Sequence, residues 1–179
     1  MAQRIRDGET VLELCAGEGG FGARIAARAR YVGIERGDDM VRAAHRRGLD
    51  VRQGDIRAVE WPQADVVVMI DALYHFPDDA PVLLTRMRAA ARRAVFIAEP
   101  VRNVASLPGL GRLAASCTDP GTGPHRHRFD EAQLRALAGD ALLEWVDLGP
   151  DRLMVLSSRS RAIPSVPADR LVGSARPAR

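Results

Sequence analysis

Apolar runs of strand length alternate with stretches of helical spacing along most of the chain. Thr10–Leu14 has the character of a short strand, and the glycine-rich segment Cys15–Gly22 follows it. Helical spacing then runs through Ala23, Ile25, Ala26 and Ala29. Tyr31–Glu35 predicts a second strand, and Asp38 is placed to cap a helix reaching about Arg47. Asp50–Gln53 predicts a third, shorter strand. Val66–Ile70 is a continuous apolar run of the kind buried on both faces of a parallel sheet. A helix is expected over Ala80–Arg93 and a fifth strand over Ala94–Ala98, ending at Pro100. The repeated strand–helix order with short connections argues for an α/β domain with an open, doubly wound sheet.

After Pro100 the rhythm changes. Residues 101–128 are rich in glycine and proline and carry Cys117, Asp119, His125 and His127. Asp130-Glu131-Ala132-Gln133 has capping-box spacing for a helix to about Ala138. Two strand-like runs, Leu142–Leu148 and Arg152–Ser158, are separated only by Gly149-Pro150-Asp151. So short a link predicts an antiparallel hairpin, because a parallel crossover needs about a dozen residues or more. The sheet is therefore expected to be mostly parallel, five strands closed by a hairpin. No internal repeat is present.

At 179 residues and 46% hydrophobic, the chain suits a single domain with a sizeable core. The expected division is a domain over 1–158 and an Arg/Pro/Ser-rich tail over 159–179. Every basic residue is arginine. Without lysine, a Walker-type phosphate loop and Schiff-base chemistry are excluded. The net charge of +3 sits in the tail, which holds five arginines against Asp169; the 21 arginines and 22 acids of residues 1–158 nearly cancel. A body so close to neutrality does not predict a nucleic-acid partner, since phosphate binding needs concentrated basic charge. No apolar run approaches the ~20 residues of a membrane span, and the start lacks a signal peptide's apolar stretch, so a cytoplasmic protein without membrane attachment is expected. Two cysteines make neither a disulfide framework nor a thiolate zinc cage. Cys15 is read as filling space under the glycine loop. No metal site is expected.

Gly17-Glu18-Gly19-Gly20-Phe21-Gly22 satisfies G-x-G-x-x-G, with Glu35 closing the next strand. Glycines there let the backbone approach a cofactor, and a following helix offers N–H groups. The spacing alone does not separate dinucleotides from other adenosine cofactors. An acid within the first strand is electrostatically awkward beside a pyrophosphate.

Val11-Leu12-Glu13-Leu14-Cys15-Ala16-Gly17-Glu18-Gly19 resembles the first motif of the class I S-adenosylmethionine-dependent methyltransferases. Three further segments are similar to that family in order and spacing: Tyr31–Glu35, Gln53-Gly54-Asp55-Ile56, and Ala64–Phe76. Ala98-Glu99-Pro100 resembles the end of its fifth strand. The resemblance spans residues 8–158 and implies a Rossmann-like fold and S-adenosylmethionine as cofactor. It implies cofactor binding by Glu13 at the cationic end, by the loop Cys15, Ala16, Gly17 and Gly19, and by Glu35 and Arg36 at the ribose. It also implies adenine contacts from Asp55 and Ile56, and cofactor contacts from Asp71 and Ala72 at the cleft edge. Tyr74, His75 and His125 are the candidates for contacting a small-molecule substrate. His75 is the candidate catalytic base for oxygen or nitrogen methylation by direct displacement, since histidine's ordinary pKa of about 6.5 suits proton removal at neutral pH.

The family usually places one or two helices before the first strand, whereas here that strand begins about nine residues in. Either the site is open, or residues 101–128, the tail, a second copy or a partner subunit covers it. Two other readings follow from the residues: a nicotinamide-dependent oxidoreductase, resting on the glycine spacing and Glu35, and a non-catalytic cofactor-binding subunit.

Overall fold

A computed structural model of the chain describes residues 1–101, 127–149 and 151–158. His125, Cys117, Asp119 and the tail over 159–179 lie outside the described residues.

Seven strands form one sheet: β1 (Thr10–Leu14), β2 (Arg30–Glu35), β3 (Val51–Gln53), β4 (Ala64–Ile70), β5 (Ala91–Pro100), β6 (Leu142–Leu148) and β7 (Asp151–Ser157). Their order is β3-β2-β1-β4-β5-β7-β6. The first five pair in parallel, β7 runs antiparallel to β5, and β6 runs antiparallel to β7. The expected parallel core and closing hairpin are both present. The helices are α1 (Gly20–Ile25), α2 (Asp38–Arg46), α3 (Ala80–Ala90) and α4 (Glu131–Ala138). No helix among the described residues is long and apolar enough to cross a membrane.

Both faces of the sheet are covered, as the continuous apolar strands require. One face buries Leu12, Leu14, Val67, Met69, Val95 and Ile97 against Leu83 and Met87 of α3 and Leu134 of α4. The other buries Val11, Val66, Val68 and Phe96 against Phe21 and Ile25 of α1, and Ile5 joins them from the N-terminal segment. Arg28 fastens that segment by donating to the carbonyls of Ile5 and Ala2.

Three local expectations need correction. The helix after the glycine loop ends at Ile25 rather than continuing through Ala29, because a turn in which Arg28 and Ala29 N–H groups donate to the Ile25 carbonyl brings the chain back to β2. Asp38 is not the cap of α2: Gly37 occupies that position, and the Asp38 carboxylate pairs with Arg42 one turn on. Helix α3 stops at Ala90, not Arg93, because β5 begins pairing with β4 at Ala91↔Ala64. Arg92 and Arg93 are held along that strand by Asp65 and Glu9. By contrast, Asp130 and Gln133 form the full capping box expected at α4.

Candidate functional site

The parallel strands all end at one edge of the sheet, where open α/β folds form their clefts. A cleft of about 520 Å³ lies there. It is bordered by Cys15 and Gly17 after β1, by Glu35, Arg36 and Gly37 after β2, and by Gly54–Arg57 after β3. Ile70–Ala72 and Tyr74–Phe76 border it after β4. Of the residues singled out from the sequence, Cys15, Gly17, Glu35, Arg36, Asp55, Ile56, Asp71, Ala72, Tyr74 and His75 thus line one space.

The loop after β1 needs unusual backbone. Cys15 and Gly17 both adopt positive φ, 55° in each case, and Gly19 does so at 74°. A Cβ at Gly19 would lie 2.4 Å from Leu49 Cδ1. A Cβ at Gly17 would meet no protein atom within 4 Å, so the backbone there faces open space. Ala16 and Gly19 are buried beneath the loop rather than lining the cleft, and the Gly19 N–H donates to the Ala16 carbonyl at 2.9 Å. Burial pushes the Cys15 thiol up to about 12, with nearby acids adding to the effect, so it stays protonated at neutral pH.

Glu35 is fixed by backbone donors on both oxygens: Gly17 N–H to Oε2 at 3.0 Å and Gly37 N–H to Oε1 at 2.7 Å. A carboxylate has about four acceptor sites, so each oxygen keeps capacity for another donor. Asp55 is oriented by Arg57, which donates from its backbone N–H and Nε to Oδ1 and from Nη2 to Oδ2. That pairing, chiefly the side-chain bond, holds the Asp55 carboxyl down at about 2.

Asp71, like Cys15, is a non-glycine residue at positive φ, 50°, and begins the loop after β4. Burial, reinforced by Asp151, raises its carboxyl above the usual range. The turn Leu73–His75 follows, with the Tyr74 and His75 rings 4.0 Å apart and Arg128 stacked 3.9 Å over Tyr74.

Glu13 departs from its expected place. It does not line the cleft and is 4% exposed. Strand alternation turns it to the opposite face from Leu12 and Leu14, beneath α1, where it accepts from the Tyr31 hydroxyl at 2.5 Å. Burial raises its carboxyl to about 7.

Arg57, Phe76 and Glu99 also belong to this region, beyond the residues singled out from the sequence. Arg57 and Phe76 border the cleft; Glu99, 1% exposed, accepts backbone N–H groups of the loop after β4. An acid inside the otherwise apolar run ending β5 was the available signal for Glu99.

The family model described as a methyltransferase domain matches residues 11–94, from β1 into β5. No protein of curated function matches the sequence. Among solved structures, magnesium protoporphyrin IX methyltransferase from Synechocystis PCC 6803, with bound SAH, is similar at 18% identity. It has a TM-score of 0.65 over 84% of this chain and 74% of that one. A chain described as a methyltransferase, in complex with the Haloferax volcanii Trm112 methyltransferase activator, is 17% identical, with a TM-score of 0.68 over 89% of this chain and 87% of that one. A SAM-dependent methyltransferase from Methanosarcina mazei is 14% identical, with a TM-score of 0.66 over 87% and 94%. Over residues 11–94 the chain matches a methyltransferase domain, and it shares the fold of these methyltransferases.

Proposed function

We propose that this methyltransferase transfers the methyl group of S-adenosylmethionine to an oxygen or nitrogen of a small molecule by direct displacement. The observation that carries the reading is the paired backbone grip on Glu35, which aims a carboxylate with spare acceptor sites into the cleft beside Gly17. Two vicinal ribose hydroxyls are the donors such a carboxylate suits. Asp55 and Ile56 stand at the neighbouring strand end for an adenine, and Arg36 borders the same cleft. The open backbone at Gly17, and the loop Cys15–Gly19, suit the close approach of a cofactor carrying no phosphate. Asp71 and Ala72 border the side where the methyl group would be presented, and Tyr74 and His75 face it as the acceptor's wall. Glu13 acts from beneath, through α1 and Tyr31, rather than by contact.

S-adenosylmethionine supplies an electrophilic methyl carbon on a sulfonium. The chain's own task is then alignment of a nucleophile behind that carbon, catalysis by proximity and orientation. For a hydroxyl or protonated amine, His75 is the base that takes the departing proton. The Haloferax volcanii neighbour is held by an activator protein; a second subunit over the cleft is the corresponding arrangement proposed here.

A screen of phenols, carboxylic acids and amines for methyl transfer from labelled S-adenosylmethionine tests the reading. Methylation within one of these classes supports it. Labelling of nucleic acid or protein alone would contradict the small-molecule assignment.

A further inference from the structure

Six consecutive backbone N–H groups, Asp71–Phe76, form the loop after β4, and each has a defined acceptor. Asp71 donates to the Ala98 carbonyl at 2.8 Å, His75 to the Ala72 carbonyl at 3.1 Å, and Phe76 to the Leu73 carbonyl at 2.9 Å. The three between them converge on one side chain. Ala72 and Leu73 donate to Oε1 of Glu99 at 3.0 and 2.6 Å, and Tyr74 to Oε2 at 3.3 Å. A residue at positive φ followed by successive N–H groups makes a small anion-binding concavity. Here Asp71 supplies the left-handed residue, and the chain's own carboxylate fills the concavity.

We propose that Glu99 is a positioning residue for the acceptor side of the cleft. Its carboxylate fixes the Ala72–Tyr74 backbone and so sets where Tyr74 and His75 stand, without touching cofactor or acceptor. The proposal rests on reading that wall as the acceptor side.

Glu99 does not border the cleft, whereas Ala72, Tyr74 and His75 do. It is separate from the Gly17–Glu35–Gly37 set that holds the other side. Among charged groups around it, Asp71 disfavours its ionisation. Arg152, opposite Glu99 on β7, is engaged instead by Glu131 and Asp147. Burial pushes the carboxyl up to about 7, and the three N–H donors pull the other way. Glutamine at this position has the right shape but the wrong chemistry: one neutral acceptor and one donating amide where three donors converge.

The test compares wild-type protein with Glu99→Gln at pH 8 by NMR, and by calorimetric titration with S-adenosylmethionine. Amide exchange at Leu73 and Tyr74 is expected to quicken by about tenfold, in keeping with lost charge-assisted hydrogen bonds. The His75 ring resonances should move. Amides of Val11–Leu14 and the cofactor Kd should stay within about twofold. Unchanged loop exchange with an unmoved His75 ring would overturn the proposal. So would exchange quickened equally through β1 and β4, or a cofactor Kd weakened with the loop intact. Should Glu99→Gln not fold, a pH titration of the wild type decides. The Leu73 and Tyr74 amide shifts are expected to share a midpoint with the Glu99 carboxyl carbon, and separate midpoints would overturn it. Wild type that fails to bind S-adenosylmethionine would contradict the cofactor reading, while the NMR arms still judge Glu99.

Discussion

The Tyr31 hydroxyl donates to Glu13 at 2.5 Å, joining β2 to β1 beneath the helix that follows the glycine loop. Two glycines make the bond sterically available. Gly33 pairs with Glu13 in the parallel register, and a Cβ there would lie 2.8 Å from the Tyr31 hydroxyl oxygen. A Cβ at Gly22 would lie 2.5–2.8 Å from three Tyr31 ring carbons. Glycines at the end of the G-x-G-x-x-G run and in β2 thus create the channel through which Tyr31 reaches the buried acid.

That buried acid makes stability depend on pH. Glu13 titrates near 7 when folded, against 4.5 as its ordinary value. Between those values the folded chain keeps a proton that the unfolded chain releases, so stability falls as pH rises through the window. The loss is on the order of 3 kcal/mol at most. Glu99, raised to about 7 by the same burial, adds a loss in the same window. Glu13→Gln should therefore flatten the decline between pH 5 and 8 in urea unfolding while leaving the part due to Glu99. An unchanged slope would contradict the assignment.

Gly22→Ala should destabilise the fold by about 1–3 kcal/mol, the usual range for overpacking, because the added methyl would displace the Tyr31 ring that bonds Glu13. Gly20→Ala is the control: a Cβ there meets nothing within 4 Å. Thermal melting of both variants checks the contrast, and equal melting temperatures would contradict it.

Much of this architecture was readable from periodicity. The five parallel strands and the final hairpin follow from apolar runs and connection lengths, and the Asp130–Gln133 capping box from spacing. Element ends were less visible, since Arg92 and Arg93 look as helical as strand-like until Asp65 and Glu9 are known to face them. At the site, the acids at strand ends were legible because parallel order brings those ends together. Glu13 was misplaced for a reason also present in the chain: side-chain alternation already put it on the face of Val11, away from Leu14. Glu99 acts through backbone N–H groups far away in sequence, and Arg57 through the Asp55 carboxylate, contacts that no local pattern displays.

Glu35→Ala should weaken S-adenosylmethionine binding by roughly 5–150-fold, equivalent to about 1–3 kcal/mol for the ribose contacts removed. The loss includes freeing the Gly17 and Gly37 N–H groups that the carboxylate now satisfies. Calorimetric titration checks it. Wild-type affinity in the variant would remove Glu35 from the ribose.

His75→Ala should lower turnover on an oxygen or nitrogen acceptor by about 10²–10⁴-fold while cofactor affinity barely moves. The pH–rate profile should lose its acidic limb. A rise in KM alone would make His75 a wall of the pocket, and full activity would remove it from the chemistry.

The cleft at the ends of β1, β2, β3 and β4 is proposed to hold S-adenosylmethionine and not a dinucleotide. Calorimetric titration of the wild-type protein with S-adenosylmethionine and, separately, with NADH and NADPH tests it most directly. Saturable micromolar binding of S-adenosylmethionine is expected, lost or much weakened in Glu35→Ala, with no comparable heat from either dinucleotide. Micromolar binding of a dinucleotide with none of S-adenosylmethionine would contradict it.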